Sequence, residues 1–148
     1  MNEITGTIQA TGKDGQTRTF EYNRETEREY GVQRYTYMIV QGMASFQLDL
    51  QDEGCRLKVV ALFHQGSGEL RAMGLPDALI HLANVQFNKK VVSSSDKPEH
   101  HTYRGGGEYR TVDAEKVWRR LNANTNFVSY DEDEGVYTYD SLNRNVPN

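Results

Sequence analysis

The sequence of 148 residues predicts one α+β domain with a mixed, mainly antiparallel sheet and two core helices. Most of the first 63 residues fall into stretches of strand-forming residues separated by short turns, which predicts antiparallel strands. Two later segments instead repeat apolar residues at helical spacing. Apolar stretches at 57–63 and 91–92 flank the first of these segments. We therefore expect them to be parallel strands joined by a crossover helix.

Composition and charge narrow the class of protein. The net charge of -4 and the pI near 5.6 argue against a general nucleic-acid binder and against attachment to an anionic membrane. The single cysteine, Cys55, excludes an internal disulfide and a multi-cysteine metal site. No apolar run approaches the roughly 20 residues of a membrane span, and the first residues do not resemble a signal peptide. We therefore expect a cytoplasmic protein.

The first half of the chain is expected to supply the antiparallel strands. Residues 1–23 read as a hairpin, because Ile4, Ile8 and Ala10 alternate with polar residues and Asp14-Gly15 suits its turn. Residues 23–30 are very polar and are expected to form either a short exposed helix or a loop. Strands are predicted at 35–40, 46–50 and 57–63, joined by turns into a meander.

A loop and a helix follow that meander. The helix is expected to begin at Pro76, whose fixed φ suits a first turn, and to carry Asp77 at the positive end of its dipole. Its apolar stripe is Leu79, Leu82, Ala83 and Phe87. The preceding loop, 69–75, contains Gly74, and its backbone N–H groups are expected to converge at the helix start. Anions bind at such positions.

The last third is expected to complete one domain. A segment at 96–110 is predicted to be a long loop that is either functional or mobile. Thr111 or Asp113 caps the second helix, whose stripe is Ala114, Val117, Trp118 and Leu121. A hairpin is predicted from strands at 127–130 and 136–139, and residues 141–148 are expected to fray. The domain thus divides into N-terminal strands at 1–54 and a core at 55–140.

This order of elements resembles the GNAT superfamily of acyl-CoA N-acyltransferases. The family signature is Arg/Gln-x-x-Gly-x-Gly/Ala at the start of the central helix, and residues 71–75 fit it with Pro76 in the last place. The segments 91–94, 114–121 and 130–137 resemble the next parallel strand, the second core helix and the closing hairpin. The resemblance covers roughly 55–140, and the N-terminal hairpin stands where the family has two helices.

The resemblance implies a coenzyme site and a reaction. Acetyl-CoA would be the acyl donor, bound by Phe63, Arg71, Ala72, Met73, Gly74 and Leu75. Its pyrophosphate would meet the loop N–H groups, and its thioester would lie between the two parallel strands. The reaction is attack of an amine on that thioester, which needs a base and sometimes an acid. We expect Glu69 or His64 as the base and Tyr109 as an acid.

Three departures from the family pattern bear on activity. Pro76 removes an N–H that Gly or Ala would offer, and Asp77 adds a negative charge beside the expected phosphates. Trp118 stands where many members have a tyrosine that acts as the acid. An ordinary loop remains the alternative for residues 71–76, and a solvated position remains the alternative for His64 and Glu69. The adjacent His100 and His101 lack partners at useful spacing, so no metal site is expected.

The sequence therefore predicts an N-acetyltransferase that acts on an unidentified amine, carried by a small molecule or a protein. The alternative is a catalytically inactive domain of the same fold that binds a protein partner or regulates one. An unrelated α+β binding protein is a third reading. Neither nucleic acid nor a membrane is expected as a partner, and a homodimer is compatible with the sequence.

Overall fold

The computed structural model describes residues 2–95 and 112–142 and has an α+β fold. In these ranges eight strands form one sheet and two helices pack on it. The strands are β1 (Asn2–Thr11), β2 (Thr17–Glu29), β3 (Val32–Gln41), β4 (Ala44–Asp52), β5 (Arg56–Gly66), β6 (Lys90–Val92), β7 (Val128–Asp131) and β8 (Val136–Tyr139). The helices are α1 (Leu75–Phe87) and α2 (Val112–Asn124), and a short 3-10 helix spans Gly68–Leu70.

The sheet has the order β1-β2-β3-β4-β5-β6-β8-β7. Only β5 and β6 are parallel, with Leu57 opposite Val91, and all the other neighbours are antiparallel. Helix α1 makes the crossover between the parallel strands. The predicted mixed, mainly antiparallel sheet and the predicted parallel pair are confirmed.

The N-terminal hairpin is longer than predicted. Strand β2 continues to Glu29, so the prediction of a helix or loop at 23–30 is wrong. This half of β2 pairs with β3 from Asn23 opposite Met38 to Glu29 opposite Val32. Its glutamates are exposed, so backbone pairing rather than apolar burial holds it. The turn at Tyr30 and Gly31 has positive φ at both residues, as a two-residue hairpin requires.

One face of the sheet carries both helices and the core. Alternate residues of β4, including Phe46, Leu48 and Leu50, are fully buried on this face. The helices contribute Leu79, Ile80, Val117 and Trp118 to the same core. The predicted stripe of α2 is confirmed, since Ala114, Val117, Trp118 and Leu121 are all buried. Gln47 and Asp49, which alternate with these buried residues along β4, point to the other face of the sheet.

Helix α1 begins one residue earlier than expected, at Leu75, with Pro76 in its first turn. Asn88 ends it in the left-handed conformation and donates its N–H to the Asn84 carbonyl. Neither helix is long and apolar enough to cross a membrane, within the described residues. The predicted loop at 96–110, with His100, His101 and Tyr109, and the predicted tail beyond 142 lie outside the described ranges.

Candidate functional site

The parallel strands β5 and β6 separate soon after they meet. Their pairing runs only from Arg56 opposite Lys90 to Lys58 opposite Val92. The register of β5 with β4 shifts just beyond, where Asp49 faces Ala61 and Leu50 faces Val59, which leaves Val60 as an extra residue. Ser94 donates its hydroxyl to the Val59 carbonyl at 2.7 Å. In the described part of the chain, β5 from Ala61 onward pairs only with β4.

The loop from β5 to α1 is held at both ends by backbone contacts. Ser67 donates its N–H to the Met43 carbonyl at 3.3 Å, and Arg71 donates to the Gly68 carbonyl at 3.1 Å. Ala72 and Gly74 both have positive φ, at 59° and 79°. A chain that alternates in this way brings successive N–H groups to one side, which is the geometry of an anion-binding nest.

The tip of the N-terminal hairpin supports this loop. Lys13 donates its N–H to the Ala72 carbonyl at 2.9 Å. A Cβ atom on Gly74 would lie 2.2 Å from the Thr11 carbonyl oxygen, and one on Gly12 would lie 2.8 Å from the Ala72 carbonyl oxygen. Two glycines thus allow the hairpin and the loop to touch backbone to backbone. This contact brings the Lys13 backbone to the start of α1.

The N-terminus of α1 has no side-chain cap. Gly74 occupies the N-cap position, and it has no side chain that could accept a hydrogen bond from the helix N–H groups. The first intrahelical bond is from Ala78 N–H to the Gly74 carbonyl. Within the described ranges, the N–H groups of Ala72, Met73, Gly74, Leu75 and Asp77 donate no hydrogen bond. These donors and the helix dipole together favour an anion at this point.

The charge of Asp77 is neutralised inside the molecule. Its carboxylate accepts hydrogen bonds from Nε of Arg120 at 2.9 Å and from the same guanidinium's Nη2. The carboxylate raises the pKa of Arg120 through this bond. Asp77 therefore does not present an unpaired charge to the loop, contrary to the concern raised by the sequence. Pro76 is buried and has no N–H, so the start of α1 has one hydrogen-bond donor fewer than it would have with Gly or Ala at this position.

His64 faces the core side of β5 and lies next to the loop. Its ring packs against Phe46, with ring centroids 4.7 Å apart. Burial, followed by the charge of Arg71, holds the pKa of His64 below its usual value of 6.5. Its Nε2 is buried and unpartnered within the described residues. His64 is therefore neutral at pH 7 and has a free nitrogen, although that nitrogen is shielded from solvent.

The other predicted site residues are not all brought together. Glu69 is exposed and accepts a hydrogen bond from the Ser67 hydroxyl at 2.8 Å, beside Gly42 of the β3–β4 turn. Phe63 lies opposite Gln47 on the face away from His64. Leu75 is fully buried, so it offers only its N–H. Arg71 is exposed at the loop. Tyr109 lies outside the described residues.

Trp118 is a core residue rather than part of a site. It is fully buried, and its ring stacks on Tyr137 at 6.0 Å with an interplanar angle of 8°. Tyr137 donates its hydroxyl to Glu115 at 3.0 Å. A second phenol, Tyr139, shares a hydrogen bond of 2.8 Å with Nδ1 of His81, and burial raises the pKa of Tyr139. Sequence reasoning missed this pair, because its members are 58 residues apart and no local pattern links them.

A groove of about 530 Å³ lies elsewhere, on the sheet face away from the helices. It is lined by residues of β1, β2 and β3, among them Thr5, Glu21 and Met38. It includes no residue of the 71–75 loop. No family model, curated protein or solved structure matches this chain.

Proposed function

We propose that this protein is a divergent GNAT-like, acyl-CoA-dependent N-acetyltransferase that acts on an unidentified amine. The observation that carries the proposal is the combination of two features at the same end of β5. One is the parallel pair, whose pairing stops at Lys58 opposite Val92, just before the bulge at Val60. The other is a helix start that has no side-chain cap and whose N–H groups donate no hydrogen bond to any described residue. A strand order in which one parallel pair is joined by a crossover helix supports the same conclusion.

The loop residues fit the diphosphate of a coenzyme. The N–H groups of Ala72, Met73, Gly74 and Leu75 are free to donate within the described chain. Arg71 lies in the same loop and is exposed, so its guanidinium is available for a second contact. The pairing of Asp77 with Arg120 removes the nearest competing charge. Pro76 leaves this set of donors one N–H short.

The gap between β5 and β6 fits the rest of such a donor. Among the described residues, the edge of β5 beyond Val59 has no strand partner on the β6 side, so its backbone groups can pair with an extended ligand. The bound coenzyme would supply the acetyl group as a thioester, which an amine attacks directly. In this proposal, neutral His64 is the group of the chain that accepts the ammonium proton. Glu69 is the second candidate for this role.

One observation favours the alternative, a catalytically inactive domain that binds or regulates a partner. Trp118 is sealed in the core and has no acidic proton to donate to a leaving thiolate. An inactive domain of this kind either binds the coenzyme or does not. In both cases it transfers no acetyl group to an amine. A turnover assay with a panel of primary amines distinguishes it from the enzyme.

Calorimetric titration with acetyl-CoA tests the site itself. Ala72 is exposed and has positive φ, a conformation that Asn and Asp both tolerate. Ala72→Asn should therefore keep the loop intact and bind acetyl-CoA nearly as the wild type does. Ala72→Asp adds only a negative charge, and we expect it to weaken binding about tenfold or more.

The two variants are matched in shape and backbone preference, so the comparison isolates charge. Similar thermal unfolding of both would show that the fold is unchanged. Equal affinity of Ala72→Asn and Ala72→Asp would place the coenzyme away from this loop. An absence of binding to the wild type at about 1 mM acetyl-CoA would remove the proposed function altogether.

A further inference from the structure

Strand β1 forms a free edge of the sheet, and the hairpin register identifies its unpaired groups. Gly12 donates its N–H to the Gln16 carbonyl at 3.0 Å, and Thr11 faces Thr17 as the next pair. Hydrogen-bonded and non-bonded pairs alternate in an antiparallel ladder. The even-numbered residues of β1 therefore bond to β2, and the odd-numbered residues point their N–H and C=O groups outward.

The outward groups of Thr5, Thr7 and Gln9 are available to a partner. In the part of the chain that the structure describes, no hydrogen bond engages them. The edge closes at Thr11, whose carbonyl oxygen lies against Gly74. The open stretch thus runs from Thr5 to Gln9 and is long enough to accept another strand.

The two edges of the sheet differ in how they are protected. The other edge strand, β7, is four residues long and ends in Asp131. Strand β1 pairs with β2 over ten residues without a bulge, and it has no proline and no charge from Ile4 to Thr11. Soluble proteins usually protect an edge with charge, proline, a bulge or shortness. An edge with none of these is typical of a strand that pairs in the assembled protein.

We propose that β1 pairs antiparallel with β1 of a second copy, which joins two sheets across a twofold axis at Thr7. In this register Thr7 faces Thr7, Thr5 faces Gln9, and Ile4 faces Ala10. Each of the three outward-facing residues exchanges two backbone hydrogen bonds with its partner. Ile4, which is 44% exposed, gains an apolar neighbour.

A second copy fits this edge because its own β1 presents the same uncharged and unpaired backbone groups in the complementary register. The chain carries a net charge of -4, so two copies repel each other over most of their surfaces. The stretch from Ile4 to Thr11 is uncharged, and Glu3 is engaged by Asn23 Nδ2 at 2.7 Å. The proposed pairing therefore places no like charges opposite each other. It does not depend on the proposed acetyltransferase activity.

Sedimentation equilibrium of paired charge variants tests the interface and its register. Thr5→Lys with Gln9→Lys places two lysines opposite each other at both ends of the pairing. Thr5→Lys with Gln9→Glu places a lysine opposite a glutamate at both ends. The neighbours of these positions within the chain, Asn23 and Thr19, are uncharged. The two double variants thus differ only in the sign of one side chain.

The wild type and the lysine–glutamate variant should be dimers, and the lysine–lysine variant should dissociate with a dissociation constant raised at least about tenfold. The lysine–lysine variant has the lower net negative charge, which on its own would favour association, so its dissociation could not come from general repulsion. Circular dichroism checks that both variants fold. A wild type that stays monomeric at about 1 mM would overturn the proposal. So would a lysine–lysine variant that remains as dimeric as the wild type.

Discussion

At the scale of single residues, His64 links the site to the pH dependence of stability. Its pKa in the folded protein lies below 6.5 because burial, and then Arg71, disfavour the imidazolium; the Leu70 carbonyl and Asp113 act in the opposite direction. Above pH 6.5 the imidazole is neutral in both states, and its contribution to stability is fully present. As the pH falls below 6.5 the unfolded chain takes up the proton first, so the folded state loses stability until the folded pKa is passed.

We therefore predict that the free energy of unfolding of the wild type decreases below pH 6.5, and that His64→Gln reduces this slope. Urea denaturation at several pH values between 7.5 and 5 measures the difference. All other ionisable groups are the same in both proteins, so their contributions cancel in the comparison. Identical slopes would mean that His64 is as solvated in the folded protein as in the unfolded chain.

At the scale of elements, the contact between the hairpin tip and the loop depends on Gly74. A Cβ there would meet the Thr11 carbonyl oxygen at 2.2 Å, and φ is +79°. Gly74→Ala should lower the free energy of unfolding by about 3 kcal/mol, because strain and a backbone clash add together. It should also weaken any binding at the loop.

Gly15 provides a matched control for that substitution. It has φ of +80° and no atom within 4 Å of an added Cβ. Gly15→Ala should therefore lower the free energy of unfolding by only about 1 kcal/mol, which is the cost of the positive φ alone. Chemical denaturation of both variants gives the difference. Equal decreases in the free energy of unfolding would show that the hairpin and the loop are not in close backbone contact at Gly74 in solution.

The sequence predicted elements well where burial or turn chemistry determined them. The stripe around Trp118 and the turns at 14–15 and 42–43 are examples, because each follows from local spacing. The second half of β2 was missed because its side chains are charged on both faces, and only pairing with β3 holds it extended. Such a strand has no alternation of apolar and polar residues, so hydrophobic periodicity does not predict it.

The candidate site was predictable only in its local part. The loop at 71–75 was identified from Gly74 and Pro76, which mark a helix start. The pairing of Asp77 with Arg120 joins residues 43 positions apart, and the bulge at Val60 is a feature of strand register. Neither has a local signature. Both depend on how α1, α2 and the sheet pack together.

At the scale of the whole molecule, the site lies where three distant segments meet. The hairpin tip donates the Lys13 N–H to the Ala72 carbonyl just before α1, and the segment after β5 donates the Ser67 N–H to the Met43 carbonyl of the β3–β4 turn. Among the described residues no side chain caps or crowds this helix start, because the positions in contact are Gly12 and Gly74. The described part of the fold thus leaves a group of N–H donors without a hydrogen bond near the end of β5, and we propose that these donors bind a coenzyme.

Backbone amide NMR during titration with acetyl-CoA tests that claim most directly. We expect saturable shifts of the amide signals of Ala72, Met73, Gly74 and Leu75, together with shifts of the signals of β5 beyond Val59. The amide of Gly31, in the exposed turn between β2 and β3 at the other end of β2 from the hairpin tip, should not move and serves as an internal reference. Binding that leaves the four loop amides unshifted, or no binding at all at about 1 mM ligand, would contradict coenzyme binding by this loop.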